Sequence, residues 1–238
     1  MYFLFFRAFK LYISAFINAF KFDHTAPLRP IRILFLLFLF PLFIILQIIH
    51  AISLILDNFL FSNYKNRTTN KALFVIGIPR SGTTFIHRRL SKSLDATTFS
   101  TWEAIFAPSI CEKYVVKGLA FIDRMFGKII SRSINWMIQL VGGNFHDIHT
   151  MLLEEPEEDY LTLLPIGACF ILLFAFPNSK ELCKLIAFDQ FSKKEQYAIL
   201  NFYKSIIQRH LYFQKGDPLF LSKNAAFSSW LPYLKKIF

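Results

Sequence analysis

Apolar positions fill the first quarter of the chain in two blocks. From Met1 to Phe22, aromatic clusters alternate with Arg7, Lys10 and Lys21, and Ser14 and Asn18 sit four apart. This is the pattern of an amphipathic helix lying in a membrane interface. No small-residue cleavage site precedes a polar region, so the pattern predicts a retained helix and not a signal peptide. A break follows at Asp23 to Pro30, with Pro27 and Pro30. Ile33 to Leu56 then runs 24 residues without a charge. That is long enough to cross a bilayer, for which about 20 suffice. Pro41 predicts a kink and leaves a re-entrant hairpin as one alternative; a buried helix of the globular domain is the other. Asn58 to Lys71 is polar and predicts a linker.

Beyond Lys71 the pattern changes to short elements. Ala72 to Ile76 is an unbroken apolar run, a strand buried on both faces. Gly77, Pro79 and Gly82 break regular structure, and Thr83 to Leu94 predicts a helix. Thr97 to Thr101 predicts a short strand that leaves Trp102 and Glu103 near the ligand side of the sheet. A long helical tract covers Glu103 to Val141, with Arg124, Lys128 and Arg132 as a basic stripe on one face. Pro156 is expected near the start of a new helix. Leu161 to Phe176, interrupted by Pro165 and Gly167, predicts a core or membrane-dipping helix. The Ser192–Glu195 capping box opens a helix to about Lys215. Gly216-Asp217-Pro218 turns the chain, Leu219 to Ser222 is a second strand, and a helix runs from Ser228 to Phe238. The β-α-β-α order predicts a parallel sheet with helices on both faces. The expected organisation is residues 1–57 as membrane-associating helices, 58–70 as linker, and 71–238 as an incomplete α/β domain.

Composition and charge sharpen the membrane expectation. The 238 residues are 54% hydrophobic, include 30 phenylalanines and carry a net charge of +11. Residues 1–71 hold eight Lys/Arg against two Asp/Glu, and basic charge beside apolar segments points to anionic lipid. No Lys/Arg run or nucleic-acid motif supports a nucleic-acid partner. The loops before and after Ile33–Leu56 are both basic, so the positive-inside rule gives no topology. Asn66-Arg67-Thr68 is a glycosylation sequon, relevant only in a secretory lumen. Cys111, Cys169 and Cys183 lack metal spacing and give no disulfide framework.

The candidate chemistry lies in three stretches. The first is Gly77-Ile78-Pro79-Arg80-Ser81-Gly82-Thr83-Thr84, between the first strand and its helix. Strand, tight loop and helix direct backbone N–H groups and the positive end of a helix dipole at one anion. Arg80 adds a planar cationic fork, and Ser81, Thr83 and Thr84 add hydroxyls. Gly77 and Gly82 have Walker A spacing, but Thr83 stands where that loop needs lysine. This argues against ATP or GTP hydrolysis and for a shorter anion chain. The second stretch is Asn144 to Tyr160, where His146 and His149 precede five acids, Glu154, Glu155, Glu157, Glu158 and Asp159. Helix capping accounts for part of that cluster, and an acid/base site is the other reading, with His149 or Glu158 taking a proton from an acceptor hydroxyl. The third is Lys223-Asn224, at the C-terminal end of the second strand.

The string Pro-Arg-Ser-Gly-Thr-Thr at 79–84 resembles the 5′-phosphosulfate loop of sulfotransferases that use 3′-phosphoadenosine-5′-phosphosulfate (PAPS). The His…Pro-Glu-Glu-Asp segment and Leu221–Ser228 also resemble segments of that broad, membrane-associated family. The resemblance runs in patches from Lys71 to Phe238. It implies an α/β, P-loop-like three-layer fold preceded by N-terminal membrane helices. It also implies sulfuryl transfer from PAPS to a hydroxyl or amine of a small-molecule, lipid or glycan acceptor, with no metal required. Carried over residue by residue, Arg80, Ser81, Gly82, Thr83, Thr84 and Lys223 are the donor contacts, with Arg80, His149 and Glu158 as the catalytic set. The family's 3′-phosphate-binding strand, with its Arg-x7-Ser element, has no counterpart before Phe238. The expectation is therefore half a donor site, a strand at Leu219–Ser222 with an open edge, and slow turnover by this chain. The alternatives are a P-loop kinase or NTPase, which would need the missing lysine and a magnesium-holding aspartate, and a non-catalytic membrane protein with a degenerate sulfotransferase domain.

Overall fold

In a computed structural model of the chain, residues 1–21, 27–78, 81–94, 96–142, 153–214 and 216–238 are described. Helix α1 is Tyr2–Ala19, and α2 is a continuous helix over Pro30–Leu60. Strand β1 (Ala72–Ile76) leads into α3 (Thr83–Ser93), and β2 is Ala96–Thr97. Then come α4 (Thr101–Phe106), α5 (Ile110–Met125) and α6 (Ile129–Gly142). A 3-10 turn at Asp159–Ile166 precedes the short helices α7 (Leu172–Ala175) and α8 (Lys180–Cys183). The long α9 (Lys193–Gln214), β3 (Leu219–Asn224) and α10 (Leu231–Leu234) complete the order.

The strands form one parallel sheet in the order β1-β3-β2. Ala72 pairs with Phe220 and Ile76 with Asn224, while Ala96 pairs with Leu219. β3 is thus the inner strand, and of the edge expected to be open at Leu219–Ser222, β2 pairs with Leu219 and Phe220. With β1 along one edge and the helix after β1 and the Asp159–Ile166 turn packed against it, Phe220 through Asn224 are all buried although three of them are polar. A mostly helical chain around a small parallel sheet is the α/β class that the element order predicted.

Several elements differ from the sequence expectation, each for a local reason. The tract from Glu103 to Val141 is three helices. Ser109 starts α5 with a capping box closed by Glu112, and Gly127 and Lys128 take positive φ of 79° and 62° between α5 and α6. Arg124, Lys128 and Arg132 are therefore exposed but do not share one helix face. Pro156 opens no helix; it bridges Ser100 in an extended strip, where Thr101 N donates to Glu155 O and Glu157 N to Phe99 O. Leu161–Phe176 is a buried 3-10 turn and a four-residue helix, because Pro165 and left-handed Gly167 (φ 64°) stop any long helix. The strand expected at Thr97–Thr101 is two residues long, since Ser100 caps α4. The Ser192–Glu195 capping box forms as expected, with Ser192 Oγ 2.7 Å from Glu195 Oε2.

The expected boundary near residue 57 does not mark a break in packing. Leu4, Ala8, Leu11 and Tyr12 of α1, and Leu36, Phe40 and Leu54 of α2, belong to the same core as Tyr203, Phe220 and Trp230. The Tyr12 hydroxyl donates to Leu164 O, and any side chain at Gly167 would meet Leu11. Pro41 lacks the N–H that an α-helix needs. The preceding turn, Phe35–Leu39, widens to a π-helix and carries α2 past it without interruption. Asn58–Lys71 is no free linker: Gln208 Nε2 donates to Lys65 O and Arg67 O, both at 3.0 Å, and Arg67 donates to Gly216 O at 2.8 Å.

Candidate functional site

The β1–α3 loop and the end of β3 converge because β1 and β3 are paired in parallel. Val75 lies opposite Lys223 and Ile76 opposite Asn224, so the residues that follow each strand emerge side by side. In open α/β sheets this carboxyl edge is where ligands bind. The loop closes tightly: Ser81 N donates to Ile78 O at 3.2 Å, and Gly82 takes φ 82° as the N-cap of α3. A Cβ at Gly77 would meet Ser81 Oγ at 2.7 Å and Thr83 Cγ2 at 2.8 Å, so any larger residue there must displace those two side chains. Ser81 and Gly82 are exposed, Thr84 is half-buried, and Thr83 is buried beneath them. Arg80 lies outside the described residues. On the outer side of α3, Thr84, Phe85, Arg88, Arg89 and Lys92 line an open cleft of about 510 Å³ with strongly basic walls.

Lys223 is the cation at the strand end. Its ammonium is buried and donates to Glu158 Oε1 at 2.5 Å. Glu158 is thus held at the end of β3 by a partner 65 positions away. Asp159, next along, is fully buried and accepts from the Tyr203 hydroxyl and from Asn224 Nδ2 at 3.1 Å. Burial pushes its carboxyl up to about 6, although the Tyr203, Ser222 and Asn224 hydrogen bonds work against that rise. His87 on α3 is buried, with Nε2 2.9 Å from Thr98 Oγ1. Burial, then the nearby Lys223 ammonium, pulls its pKa down to about 4, so the imidazole is neutral at pH 7. The extended strip at Pro156 keeps Glu157 buried at the same edge.

The structure therefore brings Ser81, Gly82, Thr83, Thr84, Glu158 and Lys223 to one edge of the sheet. His149 lies outside the described residues. Glu103 does not line the site, contrary to its expected position. It is buried, caps α4 through Ser100, and takes the Lys113 ammonium at 2.8 Å. Lys113 also donates to His210 Nδ1 at 3.0 Å, and His210 Nε2 lies 2.7 Å from Thr97 Oγ1. Burial pushes the Glu103 carboxyl upward, but Lys113 and His210 hold it well below the usual range. Burial lowers Lys113 and His210. Sequence reasoning placed Asp159 in the acidic cluster and Lys223-Asn224 at the strand end, but did not single out His87 as a member of the edge. The polar Ser-Lys-Asn run that closes an otherwise apolar strand needs such buried partners.

Comparison with solved structures finds a sulfotransferase, STF9 from Mycobacterium avium, similar to this chain with a TM-score of 0.63 and 15% sequence identity. The likeness covers 96% of this chain and 59% of that one, so this chain spans a little under three fifths of its length. At that identity the likeness is one of fold: the chain has the α/β fold seen in that sulfotransferase. No protein-family model matches the chain, and no curated protein matches it.

Proposed function

We propose that this chain is a sulfotransferase of the PAPS-dependent kind. The observation that carries the reading is the close packing of Gly77 on Ser81 and Thr83 just past the end of β1, with Lys223 on the paired β3 opposite Val75, on a fold shared with a sulfotransferase. Sulfuryl transfer places negative charge on the oxygen bridging sulfur to the donor phosphate as that bond breaks. Preorganised N–H groups, a helix N-terminus and fixed cations stabilise such charge. The β1–α3 loop would hold the 5′-phosphosulfate with its amides and with Ser81, Thr83 and Thr84, and Arg80 would add the planar fork. The acceptor is a hydroxyl or amine of a small molecule, lipid or glycan. Its oxygen or nitrogen bonds to sulfur, the bond to the phosphate oxygen breaks, and a base removes the acceptor proton. The products are a sulfated acceptor and adenosine 3′,5′-bisphosphate.

Glu158 and His149 are the proposed bases. Glu158 has a mostly buried carboxylate on the loop side of the sheet, and its sole ion-pair partner among the described residues is Lys223. A donor phosphate that draws the Lys223 ammonium to itself would leave the carboxylate free to accept a proton. Lys223 would thus link donor binding to activation of the base. A P-loop kinase is disfavoured by Thr83 at the lysine position.

Titration calorimetry with adenosine 3′,5′-bisphosphate tests the donor site. The folded chain is expected to bind, and Arg80→Ala to lose about 1.5–3 kcal/mol, the range for a charged hydrogen bond. Binding unaltered by the substitution would remove Arg80 from the site. A folded chain that binds no nucleotide, and transfers no radiolabelled sulfate to a panel of phenols, sugars and lipids, would reject the function.

A further inference from the structure

We infer that α2 does not cross a membrane but lies in the plane of one leaflet, and that α1, α2 and α5 together form a surface that seats on an anionic lipid bilayer. By length and composition α2 could cross, with 31 residues and a mean hydropathy of 2.7 in its most apolar stretch. Its packing argues otherwise. The inner face is buried from Leu36 through Phe40, Gln47, His50 and Leu54 to Asp57. At 1.5 Å per residue that covers about 32 Å, the whole hydrocarbon thickness of a bilayer. What covers it is α1 together with Phe176 at Phe40, and the globular domain at His50 and Asp57. His50 bridges Glu112 Oε1 at 2.7 Å and Ile105 O at 3.1 Å. Asp57 accepts from the backbone N–H groups of Ile110 and Cys111 and from Arg209 Nε at 2.9 Å. A spanning α2 would carry this domain, with its exposed Lys65, Lys117, Lys193 and Lys194, into hydrocarbon. Each charge there is prohibitively costly.

The outer face has the opposite character along its full length. Ile31, Phe38, Ile45, Ile52 and Phe59 recur every seven residues, two turns apart, and are 54–78% exposed. One uncovered apolar stripe parallel to the domain surface suits a helix half-sunk in a leaflet. The neighbouring helices extend it. α1 packs on α2 through Tyr12–Phe43 and Phe16–Phe40, and leaves Tyr2, Phe6, Ile13 and Ile17 exposed. α5, tied to α2 through Glu112, leaves Val115, Leu119, Ile122 and Phe126 exposed at helical spacing. Exposed apolar surface on this scale marks an interaction face.

Charge selects the occupant. Among the described residues of α1, α2, α5 and α6, the acids Asp57, Glu112 and Asp123 are buried, and each accepts hydrogen bonds at a helix start. Among the described residues, the exposed charges on these helices and their ends are cationic: Lys10, Lys21, Arg29, Lys117, Arg124, Lys128 and Arg132; the acids nearest α1, Glu181 and Glu195, share its cleft with Arg7 and Lys10. An apolar face bordered mainly by cations complements anionic headgroups over an acyl layer. A second copy of the chain would bring the same cations against one another.

The test uses the full chain and vesicles of phosphatidylcholine with one quarter phosphatidylglycerol. Flotation should carry the chain with the vesicles. The triple variant Arg124→Gln, Lys128→Gln, Arg132→Gln should partition roughly a hundredfold more weakly, at about one kcal/mol per cation. Depth is read from a fluorophore on single cysteines, Ile31→Cys, Ile45→Cys or Phe59→Cys, in a Cys111→Ser, Cys183→Ser background, quenched by lipids with nitroxides at graded depths. In-plane seating predicts one shallow depth for all three. A deep Ile45 flanked by shallow ends reached from opposite sides of the vesicle would show a spanning helix and overturn the inference. So would a folded chain that stays unbound, whether as a monomer or a discrete dimer. Circular dichroism of each variant separates lost seating from lost folding.

Discussion

At Asp159 and His87, two buried groups titrate against each other. Asp159 has its carboxyl raised to about 6, so the folded state binds a proton more tightly than the unfolded chain. Its contribution to stability is full below about pH 4 and is lost as pH rises through 6. His87 has its imidazole lowered to about 4, so the folded state resists protonation. Its contribution is full above about pH 6.5 and is lost as pH falls through 4. Each alone gives about 1.4 kcal/mol per pH unit inside its window, with opposite signs. The intact chain should therefore show little slope from these two groups between pH 4 and 6. Denaturant melts of His87→Gln should show stability falling as pH rises through that range, and melts of Asp159→Asn should show it rising. Parallel profiles for both variants would show that neither group titrates as its burial implies. Gly77 gives a residue-scale prediction of another kind. Gly77→Ala forces a Cβ within 2.8 Å of Ser81 and Thr83, an overpacking that costs about 1–3 kcal/mol. Calorimetry should show weaker nucleotide binding, because the same atoms set the loop's shape.

Among the elements, α2 shows what was legible in the sequence and what was not. The uncharged run and its helical form were visible because both depend on neighbouring residues. Its inner face was not, because its partners Glu112 and Arg209 lie 62 and 152 positions away. A trace of it existed: Gln47, His50, Leu54 and Asp57 stand three or four apart, one face of a helix. Isolated polar residues in an apolar run look like blemishes until they are placed on that face. The Gly77–Thr84 loop was legible for the same local reason as the run, since glycine spacing and hydroxyls are contiguous. The Lys223–Glu158 contact was not, because the two residues lie 65 positions apart and the packing of the Asp159–Ile166 turn on β3 decides it. The Arg209–Asp57 pair also supplies the test at this scale. Arg209 is fully buried, stacks 4.0 Å from the Tyr64 ring centre and donates to Leu54 O at 3.1 Å. Arg209→Met leaves Asp57 charged and buried, and removal of one partner of such a pair costs about 3–5 kcal/mol. Asp57 keeps its two backbone donors on α5, so chemical denaturation should place the loss toward the lower end. A loss under about 1 kcal/mol would mean that the pair contributes no more than a surface ion pair does.

Across the whole molecule, the N-terminal helices and the sheet domain share one core, and this changes what truncation should do. An anchor on a linker can be removed and leaves a soluble domain. Here the first 57 residues cover Leu163, Leu164 and Ile166 and neutralise Arg209. Burial of a Leu, Phe or Tyr side chain contributes about 1.5–3 kcal/mol. Leu4, Leu11, Tyr12, Leu36, Phe40 and Leu54 are all removed together with Asp57. Their summed contribution approaches or exceeds the whole stability of an ordinary domain, about 5–15 kcal/mol. A chain starting at Asn58 is therefore expected to be a collapsed, dye-binding state with no cooperative thermal transition, or to aggregate. Solubility alone would not distinguish a missing membrane face from a missing core. The deciding measurement is a melt followed by near-ultraviolet circular dichroism, in mild detergent, for the full chain and the truncated one. Residues 1–57 supplied as a separate co-expressed segment should restore the sharp transition, because the contacts they make are non-covalent. A truncated chain that melts sharply within a few degrees of the full one would show that the sheet domain stands alone and that the shared core adds little to its stability.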